Sequence, residues 1–142
     1  MKRKEQTEIL VNCDEIFLKR LSDEVENNHE VKIIDEPGLS LTMVKVRESA
    51  QNSLFYLCEA LVSECRVQID NKIGIGIIIG SEFSKAYYLS LIDAAYSVKS
   101  HLIDKWEPIL KEEKERQRMQ RIKANSSIMK TKIDFETMDV EI

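Results

Sequence analysis

The strongest structural signal in the chain lies in residues 54–80, which read LFYLCEALVSECRVQI, DNK and IGIGIIIG in succession. The polar triplet Asp70-Asn71-Lys72 separates two runs rich in apolar and β-branched residues, which predicts a β-hairpin. The first run is long for one uninterrupted strand, so we predict a bend near Glu59. The second run, from Ile73 to Ile79, is apolar at every position except its two glycines, and we predict that both of its faces are buried.

Upstream, residues 31–34 form a short β-branched run, and Glu36-Pro37-Gly38 is a turn signal. Residues 39–46 alternate in polarity as a strand does, and residues 49–53 resemble a polar loop. Four β segments joined by short turns predict an α+β fold with an antiparallel sheet of about four strands.

Helical periodicity flanks this β region on both sides. Apolar residues recur at steps of three and four over residues 4–26, and Asn27-Asn28 is a stop signal. A second periodic segment begins after Ser81, a candidate N-cap, and should end near Trp106 because Pro108 disfavours helix at the preceding residue. Both helices should pack on the sheet.

A third helix is predicted over residues 109–125, and it is polar almost all round. The chain therefore divides into an α+β domain, residues 1–107, and a projecting polar helix with an extended apolar tail, residues 108–142. Seven large apolar residues lie in the last fifteen positions, so the tail either folds back or adds a strand to a partner.

The composition is that of a folded, cytoplasmic protein of one domain. The chain has 142 residues, of which 43% are hydrophobic and 32% charged, and a net charge of −4. No apolar run approaches the roughly 20 residues of a membrane span, and the N-terminus lacks the apolar core of a signal peptide. The acidic balance counts against non-specific nucleic-acid binding. We therefore expect neither a membrane nor a nucleic-acid partner.

Few residues suggest chemistry. Gly74, Gly76 and Gly80 miss the spacing of a dinucleotide-binding loop, and we assign the first two to close packing within a strand. Cys13, Cys58 and Cys65 are predicted to be buried hydrophobes in a reducing compartment. His29 is predicted to be exposed, and His101 to lie near the end of the second helix. We predict no metal and no cofactor; a candidate anion site comprises Arg66, Gly80 and Ser81.

The third helix carries a basic stripe of Lys114, Arg118 and Arg121. A solvated face explains such a stripe most simply, and an acidic protein surface or RNA are the alternatives.

Four segments resemble the PhnG subunit family of the bacterial carbon–phosphorus lyase system for phosphonate breakdown. Residues 55–67 are similar to the family's F-x-L-G-E segment and the strand after it, and residues 74–80 to its glycine-spaced strand. Residues 91–95 match an I-D-A helix, and residues 132–138 match the C-terminal signature. The chain departs from the family pattern at Cys58, at Ser81-Glu82 and at Glu136.

This resemblance implies a subunit of a cytoplasmic hetero-oligomer, the core complex with the H, I and J proteins. In that family, a phosphonate such as methylphosphonate displaces adenine from ATP to give ribose 1-phosphonate 5-triphosphate, and the chemistry is attributed mainly to the I subunit. We therefore expect a non-catalytic or allosteric subunit of a transferase complex. The expected partner-binding residues are in the tail: Lys132, Ile133, Asp134, Phe135, Thr137 and Met138.

Two other functions fit the residues alone. The first is a free-standing small-molecule or regulatory domain that binds an anion through Arg66. The second is an RNA-binding module led by the basic helix, against which the net negative charge counts.

Overall fold

The computed structural model describes residues 1–133, which form an α+β fold with four helices and a three-stranded sheet. The α+β class is therefore confirmed, but the sheet has three strands rather than about four. In chain order the elements are α1 (Arg3–Val11), α2 (Glu15–Asn28), β1 (Lys32–Arg47), β2 (Leu54–Ile69), β3 (Lys72–Ile79), α3 (Phe83–Ser97) and α4 (Leu102–Met129).

The sheet is an antiparallel meander in the order β1-β2-β3. The hairpin between β2 and β3 is the predicted one, and its tight turn places Asp70 and Asn71 at φ values of 45° and 61°. Short polar side chains tolerate this left-handed conformation better than most, which explains the residue types at the turn.

The missing fourth strand results from the behaviour of the Glu36-Pro37-Gly38 segment. It does not turn the chain; it lies within β1, where the pairing with β2 shifts register between Ile33 and Gly38. β1 is an edge strand, so Pro37, which has no N–H to donate, is accommodated there as an irregularity. A further register shift leaves Leu57 unpaired opposite Val44 and Lys45, close to the bend predicted near Glu59.

Helix α3 lies directly against β3 because two glycines leave room for its backbone. A Cβ atom built on Gly74 would lie 2.2 Å from the Ser90 carbonyl oxygen, and one on Gly76 would lie 1.9 Å from that of Ala86. The prediction that Gly74 and Gly76 serve close packing is confirmed. The small residues of α3, such as Ala86 and Ala94, complete the contact.

The helices cover only one face of the sheet. Side chains alternate between faces along a strand, so residues beside Gly74 and Gly76 point away from α3. Those residues are exposed isoleucines: Ile73, Ile75, Ile77 and Ile79. The prediction that β3 is buried on both faces is therefore wrong, since the opposite face of the strand has no covering layer among residues 1–133.

The N-terminal periodic segment is two helices rather than one. The break lies at Asn12-Cys13-Asp14, where the backbone N–H groups of Asn12 and Cys13 bond back to the end of α1. Ile16, which shares the predicted apolar stripe, is consequently 85% exposed. α2 ends at Asn28 as predicted. Its apolar face joins α3 and the sheet in one core with these buried residues: Leu18, Leu21, Val25, Cys65, Val67, Ile69, Leu91 and Ile92.

Helix α4 passes through Pro108 without a break. The predictions of a helix end near Trp106 and of a separate helix from residue 109 are therefore wrong. Trp106 and Leu110 are both buried, and their packing on either side of the proline holds the helix together despite the hydrogen bond that proline cannot donate. The division into residues 1–107 and 108–142 stays a prediction, with its boundary inside α4.

The middle of α4 packs on α1 through buried polar residues, although its sequence indicates a solvated helix. Gln117 is buried and donates a hydrogen bond from Nε2 to the Ile9 carbonyl oxygen at 3.0 Å. Buried Glu113 accepts from the same amide and from Arg116. Hydrogen-bonded polar groups thus replace apolar residues where α4 packs on α1, which apolar periodicity does not detect.

Candidate functional site

The residues predicted to bind an anion do not share a pocket. Arg66 is half exposed and pairs with Glu64 at 2.7 Å and with Asp35 at 3.3 Å, so its charge is already balanced. Gly80 lies beyond the far end of β3 and has a φ of 91°. Each residue of a strand advances about 3.3 Å, so Arg66, opposite Ile75, is well over 10 Å from Gly80. The anion site remains a prediction that this geometry does not favour.

Ser81 does not cap the helix that follows it. α3 begins at Phe83 with Glu82 at the N-cap, and that position makes no capping hydrogen bond. Ser63 on β2 stabilises the connection: its hydroxyl donates to the Gly80 carbonyl oxygen at 2.6 Å and accepts from the Glu82 N–H at 2.8 Å. In the sequence, the signal for this role is the single small polar residue Ser63 after the apolar run at residues 60–62.

The cysteines differ in environment. Cys13 and Cys65 are buried as predicted, whereas Cys58 is exposed, so the prediction is wrong for it. Burial, reinforced by nearby Glu113, raises the pKa of the Cys13 thiol to about 12, and burial also raises the pKa of Cys65. Both thiols are therefore protonated at neutral pH and poor nucleophiles.

The two histidines lie near each other where α2 ends and α4 begins. His29 is half-buried rather than exposed, and its Nε2 lies 2.8 Å from the Ser100 hydroxyl. His101 precedes α4, so its predicted position at a helix C-terminus is wrong; its ring centre is 6.4 Å from that of His29. Ser100 Oγ also accepts from the Leu102 N–H at 3.4 Å. These contacts fix the start of α4.

Ion pairs and hydrogen bonds join the helices to each other. Glu24 on α2 accepts from Lys105 Nζ and from Trp106 Nε1 on α4, each at 2.9 Å. Burial raises the pKa of Glu24, but these two hydrogen bonds outweigh burial and leave it below the ordinary value. On α1, Glu5 pairs with Lys114 and Glu8 with Arg121. Two of the three cations in the predicted basic stripe, Lys114 and Arg121, are therefore paired with α1. Separately, residues 1–133 contain no group of three or more His, Cys, Asp or Glu side chains that could hold a metal ion.

The most distinctive surface is the end of the β1–β2 hairpin. β3 ends at Ile79, opposite Val62, so residues 41–61 extend beyond it as a two-stranded ribbon, which we call the arm. Leu39, at its base, is paired with Ser63 and therefore lies on the face that α3 covers farther along the sheet. From there four apolar side chains run outward, each between 46% and 61% exposed: Leu39, Leu41, Met43 and Leu61. We call them the arm strip.

The predicted tail site lies mostly outside the described residues. Lys132 and Ile133 follow α4, and the Ile133 side chain is exposed. Asp134, Phe135, Thr137 and Met138 fall beyond residue 133, and their role in partner binding stays a prediction. No helix in residues 1–133 combines the length and the apolar character needed to cross a membrane.

Comparison with known families gives a match that covers most of the chain. The family described as "Phosphonate metabolism protein PhnG" matches residues 1–139, nearly the whole chain. The match includes the hairpin, the arm, α4 and all of the predicted tail signature at residues 132–138. No curated protein matches the chain.

Proposed function

The chain belongs to the phosphonate metabolism protein PhnG family, and from this membership we propose that it is a structural or allosteric subunit of the carbon–phosphorus lyase core assembly. In this proposal the partners are the H, I and J proteins of the cytoplasmic complex. The assembly displaces adenine from ATP with a phosphonate such as methylphosphonate, giving ribose 1-phosphonate 5-triphosphate. The reacting groups belong to a partner subunit, and this chain supports their arrangement.

The observation that carries the proposal is the arm strip. Full burial of a leucine or methionine side chain is worth about 1.5–3 kcal/mol. Because about half of each strip side chain is exposed, covering the four would contribute roughly 4–5 kcal/mol before the entropic cost of association. A two-stranded ribbon is only marginally stable in isolation, so a covering surface would also stabilise the arm itself. A contiguous apolar strip on a projecting ribbon is typical of a protein–protein interface.

The test is association with the co-expressed H, I and J proteins, measured for the wild type and two matched variants. Leu41→Ser removes an exposed apolar side chain from the arm strip. Ile16→Ser makes the same kind of change on α2, where the isoleucine is isolated and 85% exposed. Both variants should melt close to the wild type, because neither residue belongs to the core.

We expect Leu41→Ser to weaken association by about tenfold or more and Ile16→Ser to leave it unchanged. Adenine release by the reconstituted assembly should fall in parallel at limiting concentrations of the variant. If the Leu41→Ser variant associated with wild-type affinity, the arm would not be part of the interface. A wild-type chain that binds none of these proteins would contradict the assembly role itself.

A further inference from the structure

The second half of α4 is a strongly basic segment in an acidic protein. Between residues 116 and 133 the sequence contains six basic residues and no Asp or Glu, although the whole chain has a net charge of −4. The basic residues are Arg116, Arg118, Arg121, Lys123, Lys130 and Lys132. A helix segment of one sign inside a chain of the opposite sign produces a local positive potential.

The segment is also amphipathic, with large apolar residues along one side of the helix. Met119, Ile122, Ser126 and Met129 recur at steps of three and four, so they lie on one face of the helix. The three apolar members are between 52% and 62% exposed. We call these four residues the α4 stripe. A solvated helix face has no physical reason to carry large apolar residues in this register.

Basic residues border the α4 stripe at seven-residue intervals. Arg116, Lys123 and Lys130 follow one edge of it, beside Met119 and Ser126 on the same side of the helix. Arg116 is paired with Glu113 at 2.6 Å. Within residues 1–133, no acidic side chain pairs with Lys123 or Lys130. Two cations beside an exposed apolar stripe are therefore available to a binding partner.

We propose that the α4 stripe is a docking surface for an acidic, apolar groove on another protein subunit of the assembly. The inference rests on the proposed function for the identity of that assembly. Met119, Ile122 and Met129 would fill the groove, and Lys123 and Lys130 would pair with carboxylates along its rim. This is the helix-in-groove mode of recognition, in which apolar anchors at helical spacing give affinity and flanking charges give orientation and rate.

An acidic protein groove fits these observations better than a nucleic acid does. The segment has no aromatic residue on which bases could stack. It also has a face of methionine and isoleucine, which a phosphate backbone would leave uncovered. Nucleic acid is nevertheless a distinct outcome of the experiment below.

The test uses the full chain with the H, I and J proteins and compares two double variants of equal charge change. Lys123→Glu with Lys130→Glu reverses the rim of the α4 stripe. Lys19→Glu with Lys72→Glu reverses two exposed lysines on α2 and at the start of β3. Affinity is measured between about 50 mM and 500 mM salt, a range over which exposed charge interactions become strongly screened. Oligo(U) RNA and vesicles with anionic lipid are separate probes.

We expect the Lys123/Lys130 variant to bind at least about tenfold more weakly at low salt, with a smaller difference at high salt, and the control variant to bind as the wild type does. A photo-crosslinking residue at Met119 should label a partner segment that contains both carboxylates and apolar residues.

Four outcomes would overturn the inference. If the two double variants bound an otherwise intact assembly with equal affinity, the docking role of the α4 stripe would be overturned. The proposed function would not be affected by that result. Crosslinks from position 119 only to the chain's own residues, or binding to RNA or vesicles that the Lys123/Lys130 change abolishes, would assign the stripe to another occupant. Failure of the wild-type chain to join any of the three proteins would overturn both proposals.

Discussion

Replacing Gly76 with alanine tests how the sheet and α3 are held together. The new Cβ would lie 1.9 Å from the Ala86 carbonyl oxygen and 2.6 Å from the Ser90 backbone nitrogen. Carbon atoms meet other heavy atoms comfortably at about 3.5 Å, so β3 and α3 would have to separate by more than about 1 Å. Both obstacles are backbone atoms of a buried helix and cannot rotate away. We therefore expect a cost at or above the upper end of ordinary overpacking, about 3 kcal/mol.

The assay is calorimetric and urea-induced unfolding of the full chain. A loss of about 3 kcal/mol corresponds to a melting temperature lower by roughly 10 °C for a chain of this size. Gly38→Ala is the matched control, since its nearest neighbour would be the Glu36 carbonyl oxygen at 3.7 Å, which is ordinary contact. It should change stability by less than about 0.5 kcal/mol. If Gly76→Ala melted like the wild type, α3 could not lie where the structure places it. If stability were unchanged but binding to the assembly were lost, the glycine would serve recognition rather than packing.

Four further predictions concern the remaining residues. Cys58→Ala should leave stability unchanged because the side chain is exposed, whereas Cys65→Ala should cost about 1 kcal/mol of unfolding free energy by calorimetry and leave assembly intact. Because hydrogen bonds from α4 keep the pKa of Glu24 below its ordinary value, the stability they provide should be complete above about pH 4.3 and lost as the pH falls through the lowered pKa. Glu24→Gln should therefore lower the melting temperature at pH 7 and reduce its decline in acid; an equally steep decline would contradict this assignment. The isolated chain should release no adenine from ATP and methylphosphonate in a chromatographic assay, and reproducible turnover would make it an enzyme in its own right. Truncation after Ser127 should spare folding but weaken association by several kcal/mol, and Phe135→Ala should cost about 1–4 kcal/mol in pull-down titrations if it is a buried anchor; a truncated chain that assembles at full affinity would exclude the docking role.

The local parts of the fold could be predicted from the sequence because their signals are local. The polar triplet at 70–72 between two apolar runs identifies the β2–β3 hairpin, and Asn27-Asn28 identifies the end of α2. The spacing of Gly74, Gly76 and Gly80 does not fit a dinucleotide-binding loop, so it predicts the close packing that the first two glycines make in β3. In each case a few neighbouring residues contain the whole signal.

The errors arose where distant contacts override a local signal. Pro108 and the Glu36-Pro37-Gly38 segment are both breakers in sequence terms. The helix α4 continues through Pro108 because Trp106 and Leu110 are packed in the core on either side of it. The segment Glu36-Pro37-Gly38 stays within β1 because an edge strand tolerates a proline and an irregular register. Which face of β3 the helices would cover could not be predicted from its all-apolar sequence.

The position of α3 explains why so much apolar surface remains for partners. Its backbone approaches β3 closely where Gly74 and Gly76 lack side chains, so the isoleucines that alternate with these glycines along the strand are directed to the opposite face. The arm strip begins beside the N-terminal end of α3, on the same face of the sheet as the helix, and the α4 stripe lies on a separate element. The exposed isoleucines of β3 and the arm strip therefore lie on opposite faces of the sheet. A single flat contact could not cover both faces, which favours a subunit that bridges more than one neighbour over one that caps the edge of an assembly.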